Sequence, residues 1–320
     1  MRKKIIKRIG VSLLVIVAAL ALFILGCFIN NRIQLKKEDA LFIPTGQLVE
    51  VNGHNISVYS EGSGEQTIVF LSGAGTCSPI LDFKSLYSLL SDNYRIAVVE
   101  KAGYGFSDDC DVPRDIDTVL SETRKALELA RIPGPYVLCP HSMSGIEALY
   151  WAQQYPDEVT AIIGLDMSVP AAYESMEINL PIMQLASFAA HAGITRIIPS
   201  LAESDAIKYG TLSDEEKELY RAIFYRRTAT KAMLNEAAEI KTSAEKVAVG
   251  TTVNVPMLMF VSNGSGGTGF DESTWRNFQN EFATSVPNAK VIELDCPHYV
   301  QDHAYNQIAD EIGQFLLYAE

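Results

Sequence analysis

The sequence predicts an α/β protein with a mostly parallel central sheet, helices on both faces and a helical insertion. Continuous apolar runs alternate with stretches of helical spacing, as expected for strands buried on both faces. The alternation stops between about residues 169 and 250, where apolar positions follow a helical period. It resumes at residue 255, so the middle stretch is predicted to be a helical lid inserted into one domain.

The composition is that of a chain able to bury a large core. Of 320 residues, 48% are hydrophobic and 20% charged, and the formal net charge is −13. Residues 1–29 contain basic side chains and no acidic one, so the rest of the chain is more acidic than the net charge suggests. An acidic body argues against nucleic acid as a partner and against adsorption to anionic lipid.

The N-terminus carries a candidate membrane segment. Residues 1–8 are basic, and residues 9–29 form an apolar run of the length that spans a bilayer. The basic cluster predicts that the N-terminus lies in the cytoplasm and the body outside it. We therefore expect a cytoplasmic segment at 1–8, a single transmembrane helix at 9–29, a linker at 30–47 and one domain at 48–320 with its lid at 169–250.

Two alternatives for the N-terminus stay open. One is a signal peptide that is removed by cleavage. The other is a lipoprotein anchor, because Ile24-Leu25-Gly26-Cys27 resembles a lipobox. All three readings place the body on the outer face of a membrane. The remaining cysteines show no C-x-x-C spacing, no metal pattern is present, and we expect no metal or organic cofactor.

Strand and helix signals follow one another along the body. Asn52-Gly53, between two short alternating segments, is a strong hairpin signal. Buried strands are predicted at 68–71, 95–99, 136–138, 161–165, 255–261 and 290–294. Helices are predicted at 114–131, 272–282 and 302–318, and Ser213 to Glu216 is typical of a helix start.

Residues 139–145 have the pattern of a nucleophile elbow. They lie between an apolar run and a helical run, which places Ser142 at the apex of a strand–turn–helix unit. Such a turn lifts the hydroxyl clear of the sheet and directs the N–H of Met143 towards a developing oxyanion. Pro140 and Ser144 occupy the positions where the G-x-S-x-G pattern has glycine. A serine in this place can also be a plain helix cap.

The order of these parts resembles the α/β-hydrolase family over residues 48–320. The resembling features are a glycine-containing turn after the first buried strand, the elbow serine, a helical lid and a histidine after the last strand. The loop at 103–107 also resembles the family's G-x-G-x-S turn. The resemblance implies that Ser142 is the nucleophile and that His298 is the general base. His141, beside the nucleophile, is expected to pack and hydrogen-bond locally.

The resemblance also implies the remaining site residues. The backbone N–H groups of Ala74 and Met143 are the expected oxyanion-hole donors. The family most often places the orienting acid after the strand that ends near residue 261, but the turn at 262–266 contains no carboxylate. Asp166 is therefore the first choice, and Asp271 is the alternative. The glycine loop at 264–269 lacks the Lys-Ser/Thr ending of a P-loop and is expected to be a flexible loop at the mouth of the site.

The family resemblance implies a serine hydrolase with a small-molecule ester or acyl substrate. Carboxylic ester hydrolysis through an acyl-enzyme on Ser142 is the expected reaction. An aminopeptidase-type peptidase on the same scaffold is one alternative, and a non-catalytic binding or receptor protein is another. Dehalogenase chemistry is disfavoured, because it needs a carboxylate at the elbow.

Overall fold

The computed structural model describes residues 2–317 of the chain. One sheet contains eight strands in the order β1-β2-β4-β3-β5-β6-β7-β8. The strands are β1 (Gln47–Val51), β2 (His54–Glu61), β3 (Thr67–Leu71), β4 (Arg95–Glu100), β5 (Tyr136–Pro140), β6 (Val159–Leu165), β7 (Met257–Val261) and β8 (Ala289–Glu293). Met1, in the predicted cytoplasmic segment, and residues 318–320, at the end of the predicted domain, lie outside the described residues.

Helices fill the connections between the strands. They are α1 (Arg2–Glu38), α2 (Pro79–Asp82), α3 (Lys84–Leu90), α4 (Ile116–Leu129), α5 (Ser144–Gln154), α6 (Pro170–Ser175), α7 (Leu180–His191), α8 (Asp205–Lys208), α9 (Asp214–Arg227), α10 (Lys231–Ala248), α11 (Glu272–Thr284), α12 (Val300–His303) and α13 (Tyr305–Leu317). Short 3-10 helices occupy Pro156–Glu158, Ile194–Ile197 and Pro199–Ala202. The predicted terminal helix is in fact divided into α12 and α13.

The predicted α/β architecture is confirmed. Strands β1 and β2 form the predicted antiparallel hairpin, with Asn52 and Gly53 at φ 52° and 85° in its turn. Strand β2 runs antiparallel to β4, and the neighbours from β4 to β8 are all parallel. The carboxyl ends of the parallel strands therefore meet at one edge of the sheet, where ligand sites of such folds lie.

Both faces of the sheet are covered, which explains the continuous apolar runs. Successive side chains of β3 point to opposite faces, and Val69 and Phe70 belong to two separate core clusters. Helices α4 and α5 cover the first face, and α3 and α13 cover the second. Every residue of β3, β5 and β7 is buried, so these strands read as uninterrupted hydrophobic segments.

Within the described residues 169–250 the lid consists of helices and the turns between them, and contains no strand. It comprises α6 to α10 and the two 3-10 helices between α7 and α8. Helix α9 begins with a capping box in which Ser213 and Glu216 bond each other's backbone, as the sequence signal indicated. Strand β7 then returns the chain to the sheet beside β6.

Helix α1 is longer than the sequence predicted. It continues to Glu38, so the first part of the predicted linker, residues 30–38, is helical. The physical reason is a lid contact: Arg196 donates to the side chains of Asn31 and Glu38 at 2.6 and 2.7 Å, which fixes the helical extension. By length and composition α1 suffices to cross a membrane, a property that membrane anchors share with signal sequences.

Candidate active site

The turn after β5 holds Ser142 in a strained conformation. Ser142 has φ of 53°, a left-handed value that costs a residue with a side chain about 1–3 kcal/mol. The chain turns there from β5 into α5, which begins at Ser144. Because the surrounding structure maintains this strain, the hydroxyl is held at the carboxyl edge of the sheet and is not packed beneath it.

The larger residues at the elbow have identifiable roles. The Ser144 hydroxyl, where the usual pattern has glycine, donates to the carbonyl of Leu71 at 2.6 Å and so joins the elbow to β3. The glycine that lets the start of α5 pack against the chain after β6 lies one residue later, because a Cβ on Gly145 would overlap the carbonyl of Ser168. A Cβ on Gly73 would lie 2.7 Å from the Ser142 Cβ, so the turn after β3 also packs directly on the elbow.

Three predicted side chains form one hydrogen-bonded chain. The Ser142 hydroxyl lies 2.9 Å from Nε2 of His298, and Nδ1 of His298 lies 2.5 Å from Oδ2 of Asp166. With Asp166 ionised, Nδ1 carries the proton and donates a hydrogen bond to the carboxylate. Nε2 is then unprotonated and can accept a hydrogen bond from the serine hydroxyl. His298 and Asp166 are buried, and Ser142 is half-buried.

Asp166 is surrounded by donors. It follows β6 and adopts φ of 46°. Its Oδ1 accepts from the Ser262 N–H at 2.7 Å and from Trp275 Nε1 at 2.8 Å, and its Oδ2 accepts from the Ser262 hydroxyl at 2.7 Å and from His298. Burial by itself raises the pKa of Asp166, but the bonds from His298, Ser262 and Trp275 outweigh it, and the pKa is lowered.

The alternative acid, Asp271, is elsewhere. It is the N-cap of α11 and accepts from the Thr274 N–H at 2.9 Å, an arrangement that lowers its pKa to about 2. It makes no contact with His298. Ser262 and Trp275, which hold Asp166, were not predicted from the sequence. Ser262 stands in the turn where the family most often places the acid, whereas no sequence signal marks Trp275.

His141 has the packing role that its position suggested. Its ring lies 4.7 Å from the His298 ring and 4.8 Å from that of Tyr299. Its Nε2 is 3.2 Å from the carbonyl oxygen of His298. Burial, with the nearby His298, lowers the pKa of His141 to about 3, so this ring is neutral and donates through Nε2. It supports the loop that carries His298.

The glycine loop contacts His298, which the prediction of a flexible loop at the mouth did not anticipate. The His298 N–H donates to the carbonyl of Ser265 at 2.9 Å. A Cβ on Gly267 would come within 2.8 Å of the His298 ring, so the absence of a side chain there allows the loop to cover the imidazole. The loop therefore helps to position His298.

The predicted oxyanion donors are free. Within residues 2–317, neither the Ala74 N–H nor the Met143 N–H donates to a protein acceptor. Met143 precedes the first residue of α5, where the helix N-terminus adds positive potential. Ala74 lies in the turn after β3 that packs on Ser142, so both groups border the nucleophile.

The described part of the chain contains no cluster of three or more His, Cys, Asp or Glu side chains placed to hold a metal ion. The five cysteines are all free: Cys27, Cys77, Cys110, Cys139 and Cys296. Burial raises the pKa of the Cys77 thiol to about 12, so it is not a second nucleophile near neutral pH. Ser142, which lies beside Nε2 of His298, is therefore the candidate nucleophile.

Comparison with known proteins gives a sequence relative and a group of structural relatives. No family model matches the chain. The uncharacterized protein YbdG of Bacillus subtilis is 41% identical over 258 residues, which cover 79% of this chain and 77% of that protein. An enol-lactonase from Burkholderia xenovorans has a TM-score of 0.64 at 16% identity, and covers 85% of this chain and 100% of its own. An esterase from Thermogutta terrifontis has a TM-score of 0.64 at 16% identity, with coverage of 86% and 99%.

These likenesses bear on different questions. The structural relatives share the fold at low identity, and they also include a haloalkane dehalogenase from Bradyrhizobium elkani with a TM-score of 0.64 at 18% identity, covering 85% of this chain and 97% of its own. YbdG is similar in sequence over most of both chains, which shows common family membership. By its sequence likeness the chain belongs to the same family as YbdG, and its fold is that of the α/β-hydrolases.

Proposed function

We propose that this protein is a serine hydrolase that cleaves carboxylic esters through an acyl-enzyme on Ser142. The observation that carries the proposal is the hydrogen-bonded chain from Ser142 through His298 to Asp166 at the carboxyl edge of the sheet. A serine hydroxyl is a weak nucleophile near neutral pH and needs such a base within hydrogen-bond reach. The hydrolases among the structural relatives support the same class of reaction.

In the first half of the reaction, Ser142 Oγ attacks the ester carbonyl carbon and its proton passes to Nε2 of His298. Asp166 stabilises the imidazolium and keeps Nδ1 protonated. The N–H groups of Ala74 and Met143 receive the oxyanion, and removal of one such donor typically costs about 10²–10³ in rate. The tetrahedral intermediate then expels an alkoxide, which takes the proton from Nε2 and leaves as an alcohol.

The second half repeats these steps with water. Water attacks the acyl carbon, gives a proton to Nε2, and the carbon–Oγ bond breaks as that proton returns to Ser142 Oγ. The carboxylic acid product leaves and the free enzyme is restored. The same residues can protonate an amine leaving group, so peptide bonds remain the second substrate class to test.

The membrane association is also a proposal. We infer that α1 is retained as a single-pass anchor, with its basic N-terminal residues in the cytoplasm and the catalytic domain outside. The apolar length of α1 and its contacts with the lid support this reading, because a helix bonded to the lid through Asn31 and Glu38 forms part of the folded domain.

A fluorophosphonate probe tests the chemistry. We expect the folded full-length chain to be labelled, and labelling to vanish in Ser142→Ala while it persists in Ser265→Ala, which removes a nearby exposed hydroxyl. A panel of acyl esters of increasing chain length and of aminoacyl anilides then separates an esterase from a peptidase. Folded wild-type protein that resists the probe contradicts the proposal and favours a non-catalytic binding protein.

A further inference from the structure

An unpartnered apolar surface lies on the lid. Six large apolar side chains there are at least half exposed, and we call them the lid patch: Ile182, Leu185, Phe188, Ile197, Ile198 and Leu201. Three belong to α7 and three to the 3-10 segment that follows it. A cluster of this kind, within twenty residues of an otherwise acidic protein, is typical of a surface that meets a partner or a membrane.

Helix α1 contacts the lid at Gly193, between the two halves of the lid patch. A Cβ on Gly193 would lie 2.8 Å from the Cys27 carbonyl oxygen and would overlap the side chain of Asn31. The Asn31 side chain also donates to the carbonyl of His191 at 3.3 Å. The backbone at the centre of the lid patch is therefore packed directly on α1.

The position of that contact along α1 sets the depth of the lid relative to the bilayer that α1 would span. The apolar run ends at Ile29, and its 21 residues at 1.5 Å each span about 31 Å, which matches the hydrocarbon core of a bilayer. Cys27 lies in the last turn of this run. The lid therefore meets α1 at the boundary of the hydrocarbon, not above a spacer.

Basic side chains mark the same boundary. Arg32, Lys36 and Lys37 are exposed on α1 directly after the apolar run, where lipid phosphates would lie. The guanidinium of Arg32 lies 5.0 Å from the centre of the Phe28 ring. A bilayer supplies apolar chains for the lid patch and, directly beside them, anionic phosphates for these cations, so it fits both surfaces at once.

The C-terminal end of α9 contacts both the end of α1 and the loops near the site. Arg226 donates to Asp39 at 2.7 Å, and Arg227 donates to the carbonyl of Gly105 at 2.7 Å. The hydroxyl of Thr228 is 3.7 Å from the Cys77 sulfur, three residues after Ala74. Three residues of chain span at most about 11 Å. The end of α9 thus connects the surroundings of the site to the C-terminal end of α1, on the same side of the domain as the anchor.

We propose that the lid patch inserts into the leaflet from which α1 emerges, so that the lid lies in the membrane interface beside the anchor. The proposal rests on the anchor inferred above and is independent of the chemistry at Ser142. It predicts a specific partner, the acyl chains of that leaflet, and it places the catalytic domain against the lipid surface and not at the end of a tether.

Tryptophan quenching by brominated lipid tests the proposal in the full chain reconstituted into vesicles. The two native tryptophans, Trp151 and Trp275, are buried in the body, so lipid cannot reach them and their emission gives a constant background. We expect the added fluorescence of Leu185→Trp and of Leu201→Trp to be lost in brominated vesicles. The matched control is Leu89→Trp, because Leu89 is exposed beside Gln66 and Asn93 at the amino ends of the strands, away from the lid.

The outcomes separate this proposal from the others. Loss of emission in both lid variants, with Leu89→Trp unchanged, supports insertion. Emission in the lid variants that resists brominated lipid, in protein that floats with the vesicles, overturns it. If the protein does not float with the vesicles, α1 is not a membrane anchor, and the proposed insertion is overturned as well. Fluorophosphonate labelling of the same samples reports on Ser142 separately, and circular dichroism shows that each variant is folded.

Discussion

Two carboxyl groups stand at the same edge of the sheet and are held in opposite ways. Glu100 is the last residue of β4, and Asp166 directly follows β6. Both side chains are fully buried. The oxygens of Asp166 are all occupied by donors, whereas Glu100 accepts the Phe106 N–H at 2.8 Å through Oε2 and its Oε1 has no partner among the described residues.

The pKa values follow this difference. Burial raises the pKa of Glu100 to about 7, and the Phe106 N–H, with smaller contributions from Ser57, Ile80 and Arg227, offsets only part of that effect. Asp166 is buried to a similar degree, yet its donors lower its pKa. Burial alone therefore yields a carboxyl that tends to hold its proton, and only a complete set of donors yields a buried anion that can orient an imidazole.

The largest expected effect is the loss of ester turnover when the negative charge of Asp166 is removed. In Asp166→Asn we expect ester turnover to fall by about 10⁴-fold, because an amide no longer selects the tautomer with Nε2 free or stabilises the imidazolium. The measurement is kcat on a short soluble ester, with the fluorophosphonate labelling rate as a second readout.

Asp271→Asn is the matched control for that substitution. Asp271 caps α11 and makes no hydrogen bond to His298, so its variant should keep near-normal turnover and lose only some of the stability that an N-cap provides. Collapse of activity in Asp271→Asn, with Asp166→Asn close to wild type, would reverse the assignment of the acid.

The sequence predicted the fold well because the signals were local. Buried parallel strands produce continuous apolar runs, Asn52-Gly53 specifies a hairpin, and Ser213 to Glu216 form the capping box that begins a helix. The elbow could be located in the same way, since a strand–turn–helix unit is a local pattern. The choice of Asp166 required knowledge of where the acid can lie, because nothing local distinguishes it from Asp271.

Other features depend on contacts between distant residues and could not be predicted. Trp275 reaches Asp166 across 109 positions of the chain, and the covering of His298 by the loop at Gly267 depends on tertiary packing. The extension of α1 to Glu38 is of the same kind, because Arg196 in the lid stabilises residues that by themselves read as a polar linker. The side chains that tune the site were therefore the least predictable part.

The next effect in size concerns the donor-poor carboxyl. The folded pKa of Glu100, about 7, exceeds its ordinary value of 4.5, so its protonated form favours the fold. That contribution is complete below about pH 4.5 and is lost as the pH rises through 7, at about 1.4 kcal/mol per unit, or about 3 kcal/mol in all. Glu100→Gln should remove this decline.

Denaturant unfolding of the full chain in detergent, from pH 4 to pH 8, measures the decline. Glu50→Gln is the matched control, because Glu50 is a strand glutamate that faces solvent on β1. If wild type and Glu100→Gln lose stability equally as the pH rises, Glu100 is not the group responsible and the contrast with Asp166 fails.

The smallest expected effect comes from making Asp166 more like Glu100. Ser262→Ala removes the hydroxyl that donates to Oδ2 at 2.7 Å, while the Ser262 N–H still donates to Oδ1. A bond to a charged group contributes about 1.5 kcal/mol, so we expect turnover to fall by about tenfold. Loss of a donor to the anion raises the pKa of Asp166, so the deficit should grow as the pH falls. Turnover measured against pH, with Ser265→Ala as control, tests this, and a deficit of equal size at every pH would mean that the hydroxyl only supports packing.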